Sequence, residues 1–133
     1  MMSEQKYLGI DYGASKIGLA LADLQTKIAT PYKILIKAKD PIAKIKEICR
    51  QENIEKIIVG LPAGLKGVDS KQYKDVVNFI NRLKQELSLE IIEQDEKMTS
   101  IYAQKLLRET KTKKFDDAVA AMLILQSYLD EKL

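Results

Sequence analysis

Between positions 6 and 36 the apolar residues come in three short clusters, 6–12, 17–23 and 30–36, parted by DYGAS (11–15) and by the polar LQTK (24–27). Runs of this length bounded by turn residues predict strands, and their short separations predict an antiparallel meander. Asp40 and Pro41 then read as a helix N-cap and a first-turn proline. Ile42, Ile45, Ile48 and Cys49 follow at helical spacing, with an end near Glu52. The run IEKIIVGLP (54–62), rich in isoleucine and valine and halted by Gly60 and Pro62, predicts a buried central strand. A loop, GLPAGLKGVDS (60–70), leads to a second helix capped by Asp69 or Ser70. Its apolar stripe is Tyr73, Val76, Val77, Ile80, Leu83 and Leu87, and it crosses back to a short strand at 89–93. Thr99 can cap a third helix carrying Ile101, Leu106 and Leu107. After RETKTKK (108–114) a fourth runs from about Asp116 to the end, with Val119, Met122, Leu123, Gln126 and Leu129 along one side. Five strands, with the helices interleaved among the later ones, make a mixed α/β sheet with one antiparallel portion.

Composition narrows the chemistry more than the fold. The 133 residues, 46% hydrophobic and 31% charged, are the size and balance of one compact domain (1–133), without repeats or low-complexity tracts. No stretch approaches the roughly 18–20 apolar residues of a membrane span, and no apolar run stands behind a basic start, so the expectation is neither secretion nor membrane insertion. Cys49 is the single cysteine. It cannot form an intrachain disulfide and reads as a buried, unreactive thiol. Histidine is absent altogether, which excludes Ser-His-Asp and Cys-His catalysis and histidine zinc ligands. What remains is chemistry by carboxylates, lysines, hydroxyls and backbone groups, and carboxylates are hard oxygen ligands suited to Mg²⁺ or Mn²⁺. A net charge of +3 permits a nucleic-acid partner without demanding one.

Three acidic positions stand out. Asp11 ends the first strand between Gly9 and Gly13, where a sheet would hold a carboxylate within reach of a ligand; it can equally be an Asx-turn residue. Asp95 and Glu96 follow the last strand. Adjacent residues in extended chain point to opposite sides, so one of the two enters any site, unless both belong to a solvated polar turn. Asp116 and Asp117 open the last helix, where acids complement the helix dipole and cap free N–H groups, the better role for Asp116. Asp117 lies one turn before Ala120 and Ala121, small residues that let a helix approach a sheet closely. Acids from these three places, gathered at one sheet edge, would hold one or two metal ions, and two ions about 4 Å apart can activate a water and stabilise a phosphodiester's leaving oxygen. GIDYG and GLPAGLKG lack the spacings of a phosphate-binding or dinucleotide loop. Lys16, Lys66 and the run Arg108, Lys111, Lys113 and Lys114 can contact phosphates along one rim, or be ordinary solvated lysines and arginine.

Taken in order, GIDYGASKIGLALAD (9–23), IIVGLPAGLKG (57–67), DEKMTS (95–100) and DDAVAAMLILQSYL (116–129) resemble the bacterial pre-16S rRNA nuclease family, also called Holliday junction resolvase-like, over nearly the whole chain. The resemblance implies an RNase H-like fold: a mixed five-stranded sheet, three antiparallel strands followed by parallel additions, flanked by helices. It also implies a cytoplasmic location and maturation of the 5′ end of small-subunit ribosomal RNA, with junction cleavage proposed for some members. By the resemblance Asp11 matches the first-strand acid, Glu96 the acid of an Asp-Glu-Arg motif, and Asp117 the acid before the Ala-Ala pair; these three are the candidate catalytic residues and Mg²⁺ or Mn²⁺ ligands. Lys97 stands where the family usually has arginine, keeping the charge but losing the planar fork. Ser100 replaces a usual threonine, and Ala63, Gly64 and Lys66 depart from the commoner loop.

The leading expectation is a metal-dependent nuclease acting on precursor rRNA or branched DNA. Lys16, Lys66, Lys97, Lys113 and Lys114 are its candidate nucleic-acid contacts, ribosomal particles a further partner, and monomer or homodimer its state. A non-catalytic nucleic-acid or ribosome-assembly module is the alternative of a different class. A third, a nucleotide-binding fragment of the actin and sugar-kinase type, is suggested by GIDYGASKIGLAL and opposed by the short chain.

Overall fold

In a computed structural model, residues 5–61, 71–95 and 116–132 are described. They form a five-stranded mixed sheet of strand order β3-β2-β1-β4-β5 with helices on both faces. Strands β1 (Lys6–Tyr12), β2 (Lys16–Asp23) and β3 (Ile28–Ile36) make the expected antiparallel meander. β4 (Ile54–Leu61) and β5 (Glu90–Asp95) add in parallel beside β1. The last strand begins one residue later than the apolar pattern suggests and runs on to Asp95. The edge strand β3 carries Pro31 and a register shift opposite Leu19 and Ala20, both tolerated where one side of the ladder is unpaired.

Helix α1 (Pro41–Gln51) starts as its sequence signals: Pro41 opens it and the Asp40 carboxylate accepts the Ala43 N–H at 3.1 Å. Helix α2 (Lys71–Glu86) buries Val76, Phe79, Ile80 and Leu83. Phe79, outside the predicted stripe, stacks on Tyr12 with ring centroids 4.3 Å apart, whereas Val77 is only half-buried and Leu87 lies beyond the helix end. Both helices cover one sheet face, where Leu8, Ile10, Leu19, Ile57 and Val59 meet Ile42, Ile45, Ile80 and Leu83. Cys49 is buried in this layer, and burial pushes its thiol up to about 11, so it stays protonated and inert at neutral pH.

Helix α3 (Asp117–Lys132) covers the other face, which is built from small residues. Gly9 lies against Ala121 and Leu125, and Ala20, Ala22 and Ala29 pack in the same layer with Tyr7, Ile58, Ile124 and Tyr128. Large side chains fill one face and glycine and alanine line the other, so a helix of bulky residues can sit close to the second face without leaving voids. The predicted stripe of α3 needs correction. Leu123 and Leu129 are buried, but Val119, Met122 and Gln126 are only half-buried, and the sheet is met through Ala121, Ile124, Leu125 and Tyr128. The helix is apolar on nearly every side, which leaves periodicity no direction to report. Gln126 serves the edge strand instead: its Oε1 accepts the Ala29 N–H at 2.8 Å and its Nε2 donates to the Lys27 carbonyl at 3.1 Å. No described helix is long and apolar enough to cross a membrane. The predicted helix behind Thr99 lies outside the described residues.

Candidate functional site

Asp11 stands near the end of β1, where side chains alternate between the two layers. Tyr7 and Gly9 lie on the α3 side, so Asp11, two residues further on, lies there too, half-buried. Its cross-strand partner on β2 is Gly18. A Cβ built on Gly18 would stand 1.8 Å from the Asp117 carbonyl oxygen and 2.8 Å from the Ala118 nitrogen. The first turn of α3 therefore rests on the bare backbone of Gly18, beside Asp11. The backbone of Asp117 is thus brought against the strand pair that carries Asp11, and the missing Cβ makes the approach possible.

Asp116 has a different task. Its Oδ1 accepts the Val119 N–H at 2.9 Å and its carbonyl the Ala120 N–H at 3.0 Å, so it caps the helix that carries Asp117. Asp116→Ala should cost about 1 kcal/mol of stability, the usual worth of such a cap. Most cleavage activity should remain, as a urea titration beside a cleavage assay would show; a lost activity at unchanged stability would contradict the capping role.

Asp95 ends β5 opposite Leu61. It alternates in phase with Ile91, which belongs to the α1 and α2 layer, and so lies away from Asp11. Gln94 alternates the other way, with Ile92, and is buried opposite Gly60 of β4. Gly18 opposite Asp11, and Gly60 opposite Gln94, thus lie on the α3 side of the sheet. Sequence reading passes over Gln94 because Gln94 to Lys97 looks like a solvated polar turn; the signal it does carry is a polar residue directly behind a strand's apolar core.

Lys16, exposed, begins β2 two residues before Gly18 and in phase with it, at the rim beside the two acids. Glu96, Lys66, Lys97, Lys113 and Lys114 lie outside the described residues. Among the described residues no group of three or more metal-ligating side chains gathers; of the candidate acids, Asp117 has its backbone beside the strand pair of Asp11. Two half-buried carboxylates offer only hard oxygen donors, a set that fits Mg²⁺ or Mn²⁺ and lacks the soft or imidazole ligands that copper or structural zinc favours.

The sequence profile of the RuvX Holliday junction resolvase family matches residues 5–131. A Fusobacterium nucleatum protein named "Putative pre-16S rRNA nuclease" is 35% identical over 136 residues, covering 96% of this chain and 99% of the relative. A Clostridium tetani protein of the same name is 37% identical, covering 94% and 96%. Among solved structures, T. thermophilus RuvC in complex with a Holliday junction substrate superposes with a TM-score of 0.68 over 96% of this chain and 95% of that one, at 10% identity, a likeness of fold alone. The profile match and the two relatives each span nearly the full length, and on that ground the chain belongs to the RuvX Holliday junction resolvase family.

Proposed function

We propose that this protein is a divalent-metal-dependent nuclease that cleaves a phosphodiester in the 5′ leader of precursor 16S rRNA, with Asp11, Glu96 and Asp117 as metal ligands. The observation that supports the reading is the seating of the Asp117 backbone on Gly18, the strand partner of Asp11. The relatives named as pre-16S rRNA nucleases support the substrate. Glu96 is taken as the third ligand from the match of DEK (95–97) to the family's Asp-Glu-Arg motif. The cytoplasm, where ribosomal particles are assembled in bacteria, is the matching location.

The overall step is hydrolysis: water adds to phosphorus, the P–O bond to the leaving nucleotide breaks, and a proton reaches the departing oxygen. When bound, Mg²⁺ or Mn²⁺ lowers the pKa of water and stabilises charge on the phosphoryl oxygens. The chain's own residues supply position and charge. Asp11 is held by the β1–β2 ladder, and Asp117 by a helix start that Asp116 caps. Two carboxylates close together repel a bare phosphate, so cations must offset them; Lys16 at the rim, with Lys66, Lys97, Lys113 and Lys114, fills that role.

The test is cleavage by purified protein of a labelled precursor rRNA leader and of a four-way DNA junction, with Mg²⁺, with Mn²⁺ and with EDTA. Metal-dependent cutting of the leader is expected, with EDTA abolishing it. Preferential cutting of the junction would move the substrate to branched DNA, the activity in the family's name. Binding without cutting of either would make the protein an assembly module.

A further inference from the structure

Where β3 leaves the sheet, the chain turns at Lys37, with φ of 47°, and runs through Ala38 and Lys39 to the Asp40 cap of α1. A cleft of about 460 Å³ opens there, with Ile36, Lys37, Ala38, Lys39 and Lys44 in its wall. Three lysines line it and no acid does. None of the three has an ion-pair partner among the described residues, and the nearest carboxylate in sequence, Asp40, is engaged with the Ala43 N–H. Three exposed lysines around one concavity without an acid give it a positive potential, which suits a polyanion.

The cleft opens at the same end of the sheet as Asp11, at the edge strand and with Lys44 of α1 on one side. The Lys37 N–H donates to the Ser15 carbonyl at 2.8 Å, and Ile36 pairs with Lys16, itself two residues from the Gly18 that faces Asp11. With adjacent strands about 4.8 Å apart, β3 stands roughly 10 Å from β1. At roughly 3.4 Å of rise per nucleotide in a stacked strand, and more in an extended one, that span is two or three nucleotides at most. We propose that the cleft formed by Lys37, Lys39 and Lys44 is a phosphate-backbone subsite, which holds the nucleic-acid strand a few nucleotides from the bond cut at Asp11 and Asp117. The inference rests on the nuclease reading for its ligand and adds a site that the carboxylates do not define. Contacts to phosphate position a strand without reading its sequence, so the subsite would contribute grip and register rather than base preference.

Binding of a fluorescein-labelled single-stranded RNA leader in EDTA, where nothing is cut, provides the test across a salt series. The variant carries Lys37→Asn, which keeps a residue tolerant of positive φ, with Lys39→Gln and Lys44→Gln. Each phosphate contact contributes about 0.7 to the slope of log affinity against log salt for single strands, so the slope should fall by about two and affinity by tenfold or more. A control losing the same charge at Lys27, Lys84 and Lys132, exposed at the far end of the molecule, should keep the slope within about half a unit. Should the triple variant melt early, Lys39→Gln with Lys44→Gln alone should lose about two-thirds as much. An unchanged slope in the cleft variants, or an equal loss in the control, overturns the subsite and leaves the nuclease reading standing. If the parent chain binds no RNA, both fall together.

Discussion

Asp11→Asn should lower the rate of metal-dependent cleavage by about three orders of magnitude, while the melting temperature stays within a degree or two of the parent. The change keeps the side chain's size and removes its negative charge. A carboxylate that holds a catalytic cation supports several kcal/mol of charge stabilisation in the transition state, and about 4 kcal/mol corresponds to three decades in rate. Stability should be spared because Asp11 is half-buried at the end of its strand, outside both apolar layers, and asparagine can still take part in hydrogen bonds there. Single-turnover cleavage of the rRNA leader beside a thermal melt reads both quantities. Full activity in the variant would remove Asp11 from the site, whatever the family implies.

Gly18→Ala should be the most damaging single-methyl change in the described fold. The added Cβ would overlap the Asp117 carbonyl, and that neighbour is helix backbone, which cannot rotate aside as a flexible side chain would. Either α3 lifts or β2 sinks, at a cost of about 3 kcal/mol or more for an overpacked contact of this kind. The displacement also moves Asp117 away from Asp11, so cleavage should fall further than lost stability explains when measured well below the unfolding midpoint. The pattern differs from Asp116→Ala, which loosens the helix start without driving it off the sheet. A Gly18→Ala protein with parental urea midpoint and parental activity would show that the helix does not rest on Gly18.

Much of the molecule was readable in one dimension because local rules sufficed. Asp40-Pro41 announces α1, since a cap and a proline act within a single turn. The isoleucine and valine run of β4 announces a central strand, because burial on both faces leaves no polar alternation. Absence of histidine confines the chemistry to carboxylates, lysines, hydroxyls and backbone groups. The ordered motifs pointed to the family, and nearly full-length relatives show it.

Where each acid lies depended instead on register and layer, which are long-range. Asp117 comes near Asp11 only because Asp11 pairs with Gly18 and α3 docks on that glycine; nothing near either acid in the chain encodes the other's position. The same layering separates Asp95 from Asp11, places Gln94 on Asp11's face, and turns Gln126 from a supposed stripe residue into a clamp on β3. A nearly all-apolar helix has no period to say which side faces the sheet, so the docking of α3 had to come from close packing of its backbone against glycine and alanine. Composition and local pattern thus decided the elements and the class of chemistry, through forces acting within a turn or a strand. The approach of the Asp117 backbone to the strand pair of Asp11 came from contacts between residues far apart in the chain, whose geometry exists only once the sheet has closed around its two cores.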